Sequence, residues 1–283
     1  MGMVRKVTSA LCALLALAGA SPIAADDAAR TPASANELGS RISALLKMGE
    51  VPGASVVLIE NGRVSWSMDF GVADMKTKRP VSPETIFRAG SIGKTWTSLA
   101  IMMLVEEGRL NLDAKISDLL PEFKFENPWE KTDPVRLVHL LEHTTGFDDM
   151  AFEKYMLEGA EIPLPRAVEL WGPYRSRWKP GTRMAYCNAG PVIAGWILEK
   201  TTGQKYEAFM ADRLTGPMGL ESARWTRTPD IATRISKSYK AAGGGEIKYY
   251  EIPGRPAGSL NIAARDLAAL PVLMLGRGTQ LYT

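Results

Sequence analysis

Arg88-Ala89-Gly90-Ser91-Ile92-Gly93-Lys94, running straight into Thr95-Trp96-Thr97-Ser98-Leu99-Ala100-Ile101-Met102-Met103-Leu104-Val105, is the stretch that decides how this chain is read. The apolar run after Ser91 predicts a long helix, and helical positions three apart share a face, so Lys94 is placed beside Ser91. A hydroxyl at a helix N-terminus lies in the positive end of the helix dipole, which favours negative charge developing on its oxygen. An amine beside it that can shed its proton is a base. Serine and lysine so paired suit covalent catalysis in which no histidine takes part. Taken alone, Ser91 reads first as a helix cap and Lys94 as a solvated helix residue, so the pair gains meaning from its surroundings.

Upstream, Asn36–Lys47 carries apolar residues at helical spacing (Leu38, Ile42, Leu45, Leu46). A β-hairpin follows: the apolar run Ala54–Ile59, the turn Asn61-Gly62, then Val64, Trp66, Met68 and Phe70 alternating with polar residues. Downstream, Gly108 closes the Ser91 helix, Asp113 is placed to cap a short helix ended by Pro121, and Asp133-Pro134 starts a helical run over Val135–Glu142. Residues 144–183 read as an irregular excursion with one short helix near Arg166–Trp171. A clear helix over Gly190–Lys200 has Asn188 as its N-cap and Gly203 as its stop. Gly243-Gly244-Gly245 with Tyr249-Tyr250 suggests a loose hairpin, and a last helix is predicted from Ile262, interrupted at Pro271.

The chain has 283 residues, 46% of them apolar, enough for a sizeable core. Residues 1–25 read as a secretory signal peptide, with Arg5 and Lys6 before the apolar run Leu11–Ala20 and small residues Ala24-Ala25 before Asp26. Residues 26–34 read as a flexible lead, and an exported, periplasmic or secreted protein is expected. The formal charge of +3 includes Arg5 and Lys6, so the mature chain is nearly neutral and offers nothing to a nucleic acid. Cys12 leaves with the leader, and Cys187 alone forms no intramolecular disulfide. Two histidines and one cysteine give no metal-ligand spacing, so neither metal nor cofactor is expected.

Two further blocks stand in order after Ser91-Ile92-Gly93-Lys94. They are Leu140-Leu141-Glu142-His143-Thr144-Thr145-Gly146-Phe147 and Pro180-Gly181-Thr182-Arg183-Met184-Ala185-Tyr186-Cys187-Asn188-Ala189-Gly190. With S-x-x-K at Ser91/Lys94 and Y-x-N at Tyr186/Asn188, the chain resembles the serine β-lactamase and penicillin-binding-protein superfamily. The resemblance is to the class C β-lactamase-related branch, which includes family VIII esterases and D,D-peptidases. Arg255-Pro256-Ala257-Gly258-Ser259-Leu260 and Ala264-Arg265-Asp266-Leu267 look like later landmarks, and the likeness runs from about Asn36 to Gly278.

The resemblance implies an α+β fold of the β-lactamase/transpeptidase-like kind, an antiparallel sheet flanked by helices plus an all-helical region, over residues 35–283. It implies Ser91 as nucleophile, Lys94 and Tyr186 as the base system, and Asn188 as a substrate-binding or lysine-holding residue, with the Ser91 N–H giving half of an oxyanion hole. A free tyrosine titrates near pH ~10, and a neighbouring ammonium favours a phenolate by charge attraction. Sequence leaves open which of the two takes the proton. The implied function is an exported serine hydrolase forming an acyl-enzyme on a β-lactam, a small ester or a D-amino-acid peptide. The alternatives are a penicillin-binding D,D-peptidase-type protein and a non-catalytic binding or sensor homologue. The partner is a small acyl substrate or a peptidoglycan-type peptide; the oligomeric state stays open.

His143 falls in a segment expected to be structural, and His139 in packing or surface, so a Ser-His-Asp triad is set aside. Gly93-Lys94-Thr95 lacks the first glycine of a phosphate loop, because position 88 is Arg88, and position 89 is Ala89 where a nucleophile elbow has glycine. The branch's third motif, K-T-G, H-x-G or W-x-G, does not occur after Asn261. The expectation is therefore a C-terminally incomplete copy, with the sheet left as little more than the Ala54–Phe70 hairpin and turnover in doubt.

Overall fold

The computed structural model describes residues 31–155, 162–240 and 244–277. The signal-peptide expectation for residues 1–25 lies outside the described residues, as do part of the lead that follows and Gly243. The chain divides into two compact units, one of residues up to Thr85 with Ser236–Tyr249 and the segment from Ala268, the other of Ile86–Ile235 with Tyr250–Leu267.

In the first unit, helix α1 (Ala35–Met48) is capped by Ser34, whose Oγ accepts the Glu37 N–H, and Glu37 and Lys47 complement the two ends of its dipole. Strands β1 (Gly53–Glu60) and β2 (Arg63–Asp74) form the expected hairpin, in register from Gly53↔Gly71 to Glu60↔Arg63. Asn61 and Gly62 both take positive φ, 53° and 74°, as a type I′ turn requires. A register shift at Leu58/Ile59 lets Leu58 pair with Trp66 and Ile59 with Val64. A two-residue strand β3 (Arg79–Pro80) extends the antiparallel sheet on the β2 side. The loose hairpin exists as Ser238–Tyr239 paired with Glu246–Ile247.

The second unit holds the Ser91 segment. Strand β4 (Ile86–Arg88) leads into a 3₁₀ turn over Gly90–Ile92, and helix α2 (Gly93–Glu106) follows. Ser91 therefore stands on the 3₁₀ turn and not on the α-helix itself. Gly90 has φ +57°, and a Cβ there would meet open space, so conformation alone demands glycine. Trp96, Ala100, Ile101 and Leu104 put the inner face of α2 fully into the core.

Four sequence expectations are corrected here. Asp113 caps nothing: the single turn Ile116–Leu119 starts after extended Lys115, which bridges to Arg136. That bridge also holds Arg136 extended, so helix α3 covers only Leu137–Leu141. Ile262 lies on strand β5 (Asn261–Ala263), antiparallel to β4 with Arg88↔Asn261 and Ile86↔Ala263. Two short helices, Ala264–Leu267 and Ala269–Leu275, follow, and the break falls at Ala268 because Pro271 sits in a first turn where its missing N–H costs no bond.

Among the described residues of the 144–183 excursion, helix α4 (Leu164–Trp171) is the one α-helix, accompanied by a 3₁₀ turn over Phe152–Lys154. Helix α5 (Ala189–Thr202) is the centre of this unit, buried on almost every face from Ala189 to Leu198. Each of its fully buried Val, Ile and Leu side chains contributes about 1.5–3 kcal/mol. Gly190 lets it approach the Leu140 carbonyl of α3, and Gly195 lets Pro256 pack against it. Gly203 ends it at φ +73°. Phe123, Phe125, Phe147 and Tyr174 form an aromatic cluster, with ring centroids 5.3–5.5 Å apart along Phe125–Phe123–Tyr174–Phe147 and 5.6 Å between Phe147 and Phe125.

Candidate active site

Ser91 is delivered by a braced corner. The Ala89 N–H bonds the Leu260 carbonyl at 2.8 Å and the Ile86 N–H bonds the Arg234 carbonyl at 3.1 Å, while β5 pairs along β4 between them. One turn on, Lys94 is 8% exposed, and its Nζ reaches three oxygens: Ser91 Oγ at 3.1 Å, Asn188 Oδ1 at 2.8 Å and the Ala257 carbonyl at 2.5 Å. From the other side the Tyr186 hydroxyl lies 2.7 Å from Ser91 Oγ. Lys94 Nζ also stands 4.8 Å from the Tyr186 ring centroid, within cation–π range. Lys94 and Tyr186 thus meet at Ser91 Oγ and Asn188 joins them through Lys94 Nζ, with Ser91 and Tyr186 open to solvent and Lys94 buried.

Two proton arrangements satisfy the same contacts. A neutral Lys94 amine has two N–H donors for Asn188 Oδ1 and the Ala257 carbonyl, and a lone pair left to accept the Ser91 hydroxyl. A Lys94 ammonium donates to all three oxygens, and Ser91 Oγ then also accepts from the Tyr186 hydroxyl. In the first the serine proton has an acceptor in Lys94 Nζ, at a distance suited to general-base catalysis. The Ser91 N–H belongs to the opening turn, where N–H groups lack helical acceptors and are free for a developing oxyanion.

Two contributors, Asp149 and the Ala257 carbonyl, are not read from the sequence, and a third, His143, is read there only as structural. Asp149 accepts both the backbone N–H and the side-chain Nδ2–H of Asn188, at 2.8 and 2.7 Å. Asn188 therefore holds the N-cap position of α5 without capping it, since its side chain is spent on Asp149 and Lys94. The Ala257 carbonyl comes from the turn Arg255–Gly258, fastened by Arg255, whose guanidinium is buried against Glu207 and donates to the Ile162 carbonyl at 2.8 Å. His143 stacks on Tyr186 with ring centroids 4.6 Å apart, and its Nδ1 accepts the Cys187 N–H at 3.3 Å. The only advance signals were Asp148-Asp149 directly after Thr144-Thr145-Gly146-Phe147 and the Arg255–Leu260 landmark.

Burial and the Lys94 charge hold His143 below the usual histidine range, and burial does the same for His139, whose Nδ1 accepts the Arg136 N–H. His143 is thus neutral, with its proton on Nε2, and serves as a support for Tyr186. The Cys187 thiol is pushed up to about 11 by burial, so it stays protonated beside the site. Because both histidines are depressed in the fold, the unfolded chain binds protons that the native chain refuses below pH ~6.5. Their contribution is complete above that pH and is lost as pH falls toward their folded values. The urea midpoint is expected to drop between pH 7 and pH 5, and the drop to be shallower in a His139→Gln/His143→Gln variant.

Among known proteins, this chain is 30% identical to "Penicillin-binding protein 4" of Amycolatopsis lactamdurans over 200 residues, 70% of this chain and 51% of that protein. It superposes with a TM-score of 0.75 and 27% identity on the octameric penicillin-binding protein homologue of Pyrococcus abyssi, covering 87% of this chain and 57% of the other. A class C beta lactamase from Rhodobacter sphaeroides shares the fold, with a TM-score of 0.69 at 24% identity over 86% of this chain and 67% of that one. The chain thus spans about half the length of the curated relative it matches. Residues 38–281, the Ser91 corner included, match the family model described as Beta-lactamase, and the chain belongs to that family.

Proposed function

We propose that this protein is an acyl-transfer hydrolase that works through an ester on Ser91. The observation that carries the reading is the convergence of Lys94 Nζ and Tyr186 OH on Ser91 Oγ, at 3.1 and 2.7 Å. Ser91 Oγ bonds to the carbonyl carbon of an ester, a β-lactam or a D-amino-acid peptide, and its proton passes to the Lys94/Tyr186 pair. That pair returns the proton to the leaving oxygen or nitrogen as the acyl bond breaks. Water then attacks the acyl-enzyme in the reverse sense, giving the acid and restoring Ser91. The leader-like residues 1–25 support action outside the cytoplasm, where peptidoglycan-type peptides and β-lactams are met.

The second reading, a penicillin-binding role with long-lived acylation, is favoured by the names of the Amycolatopsis and Pyrococcus relatives. Intact-mass spectrometry of the chain from Asp26, mixed with a penicillin or an activated ester, separates the two. A transient adduct with product release is the result expected of a hydrolase, and a persistent adduct that of a penicillin-binding protein. Either adduct is expected to be absent in Ser91→Ala. An adduct that survives Ser91→Ala, or none from the folded wild type, would overturn the reading.

A further inference from the structure

Asn188 meets Lys94 through one orientation of its amide, and Asp149 selects that orientation. A carboxylate only accepts hydrogen bonds, so Asp149 alone decides which end of the amide faces it. With Asp149 on one side at 2.7 Å and Lys94 Nζ on the other at 2.8 Å, the amide must turn its NH₂ to Asp149 and its carbonyl to Lys94. Flipped over, it would set the amide oxygen against the Asp149 carboxylate, acceptor against acceptor. The second Asp149 oxygen takes the Asn188 backbone N–H at 2.8 Å, so the residue is fastened at main chain and side chain together. Neighbouring bonds stiffen the same strip: the Ala185 N–H reaches the His143 carbonyl at 2.8 Å, and the Cys187 thiol reaches the Asp148 carbonyl at 3.3 Å.

We propose that Asp149 is a positioning residue of the acyl-transfer site. It acts through Asn188, whose locked carbonyl holds Lys94 Nζ within reach of Ser91 Oγ. The inference rests on the reading of Ser91 as nucleophile, and it adds the residue that aligns the base system. The competing role is purely structural: Asp149 also lies at the N-terminal end of α5, where any acceptor for the Asn188 N–H steadies the helix. Asp149→Asn distinguishes the two, because it keeps an acceptor for that N–H but turns an NH₂ toward the Asn188 NH₂.

The test uses the full chain labelled with ¹⁵N-asparagine, as wild type, Asp149→Asn and Asp149→Ala. Three quantities are read: exchange of the Asn188 side-chain NH₂, saturating acylation rate with an activated ester, and urea midpoint. In the wild type the Asn188 NH₂ is expected to exchange at least ~10-fold more slowly than that of Asn61 in the exposed hairpin turn, and both variants are expected to close that gap. Acylation is expected to fall by about 10–100-fold with the half-saturating ester concentration unchanged, as misplacement of a catalytic group produces. The Asp149→Asn midpoint is expected to stay at the wild-type value. Unchanged exchange, or acylation at wild-type rate in both variants, overturns the proposal, and so does a loss of rate that merely follows a lowered midpoint. A wild-type chain with the slow amide but no acylation overturns the nucleophile reading, whereas the hold of Asp149 on Asn188 is decided by exchange alone.

Discussion

Lys94→Met is expected to slow acylation of Ser91 by about 10²–10⁴-fold, the usual contribution of a positioned acid–base group. Methionine fills much of the same volume, so the α2 packing around position 94 survives. What disappears is the group that touches Ser91 Oγ, Asn188 Oδ1 and the Ala257 carbonyl at once. Two opposing terms act on stability. Losing the donor leaves buried acceptors unsatisfied, at about 1–3 kcal/mol each, whereas removing a buried cation returns its desolvation cost. The urea midpoint should therefore move far less than the rate. Lys94→Arg sharpens the test. A guanidinium keeps the positive charge but never becomes a neutral base, so recovery of rate in Lys94→Arg would mean that charge alone matters. Pre-steady-state mass spectrometry reads the adduct at Ser91 directly, and wild-type rates in Lys94→Met would remove lysine from the mechanism.

The parts of this site that sequence revealed are those whose spacing is local. Ser91 and Lys94 are neighbours because of helical period, and Tyr186 and Asn188 because they flank the start of one unmistakably apolar helix. The Asn61-Gly62 hairpin was legible for the same reason, since two positive φ values are demanded by adjacent residues. Asp149 and the Ala257 carbonyl reach the site across long loops, and one of them is main chain, so no residue type announces it. Strand β5 was misread as helix because three buried residues, Asn261-Ile262-Ala263, carry no period of their own and abut a helical segment. Asn188 looked like a cap because asparagine before an apolar run is one in most chains; here a carboxylate thirty-nine positions upstream claims its side chain.

Gly254→Ala is expected to cost about 1–3 kcal/mol of stability, the usual penalty for overpacking a filled site, and to reduce acylation with it. Gly254 has an ordinary negative φ, so space is the whole argument. A Cβ there would fall 2.0, 2.6 and 2.8 Å from three ring atoms of Trp171. Trp171 has little freedom to retreat: it is 3% exposed, its Nε1 donates to the Lys154 carbonyl at 2.9 Å, and its ring stacks on Tyr155. The chain at 254 must move instead, and three residues on it carries the Ala257 carbonyl that receives Lys94. Arg255, buried against Glu207, resists that movement, so the strain is shared between the turn Arg255–Gly258 and the lysine contact. Gly245→Ala is the matching control, since a Cβ there meets nothing and its φ is ordinary; its effect should stay within about 0.5 kcal/mol. Urea titration of both variants, read beside the acylation rate, tests the coupling. A Gly254→Ala chain that loses stability but acylates at the wild-type rate would show that the Ala257 carbonyl is not needed to hold the base.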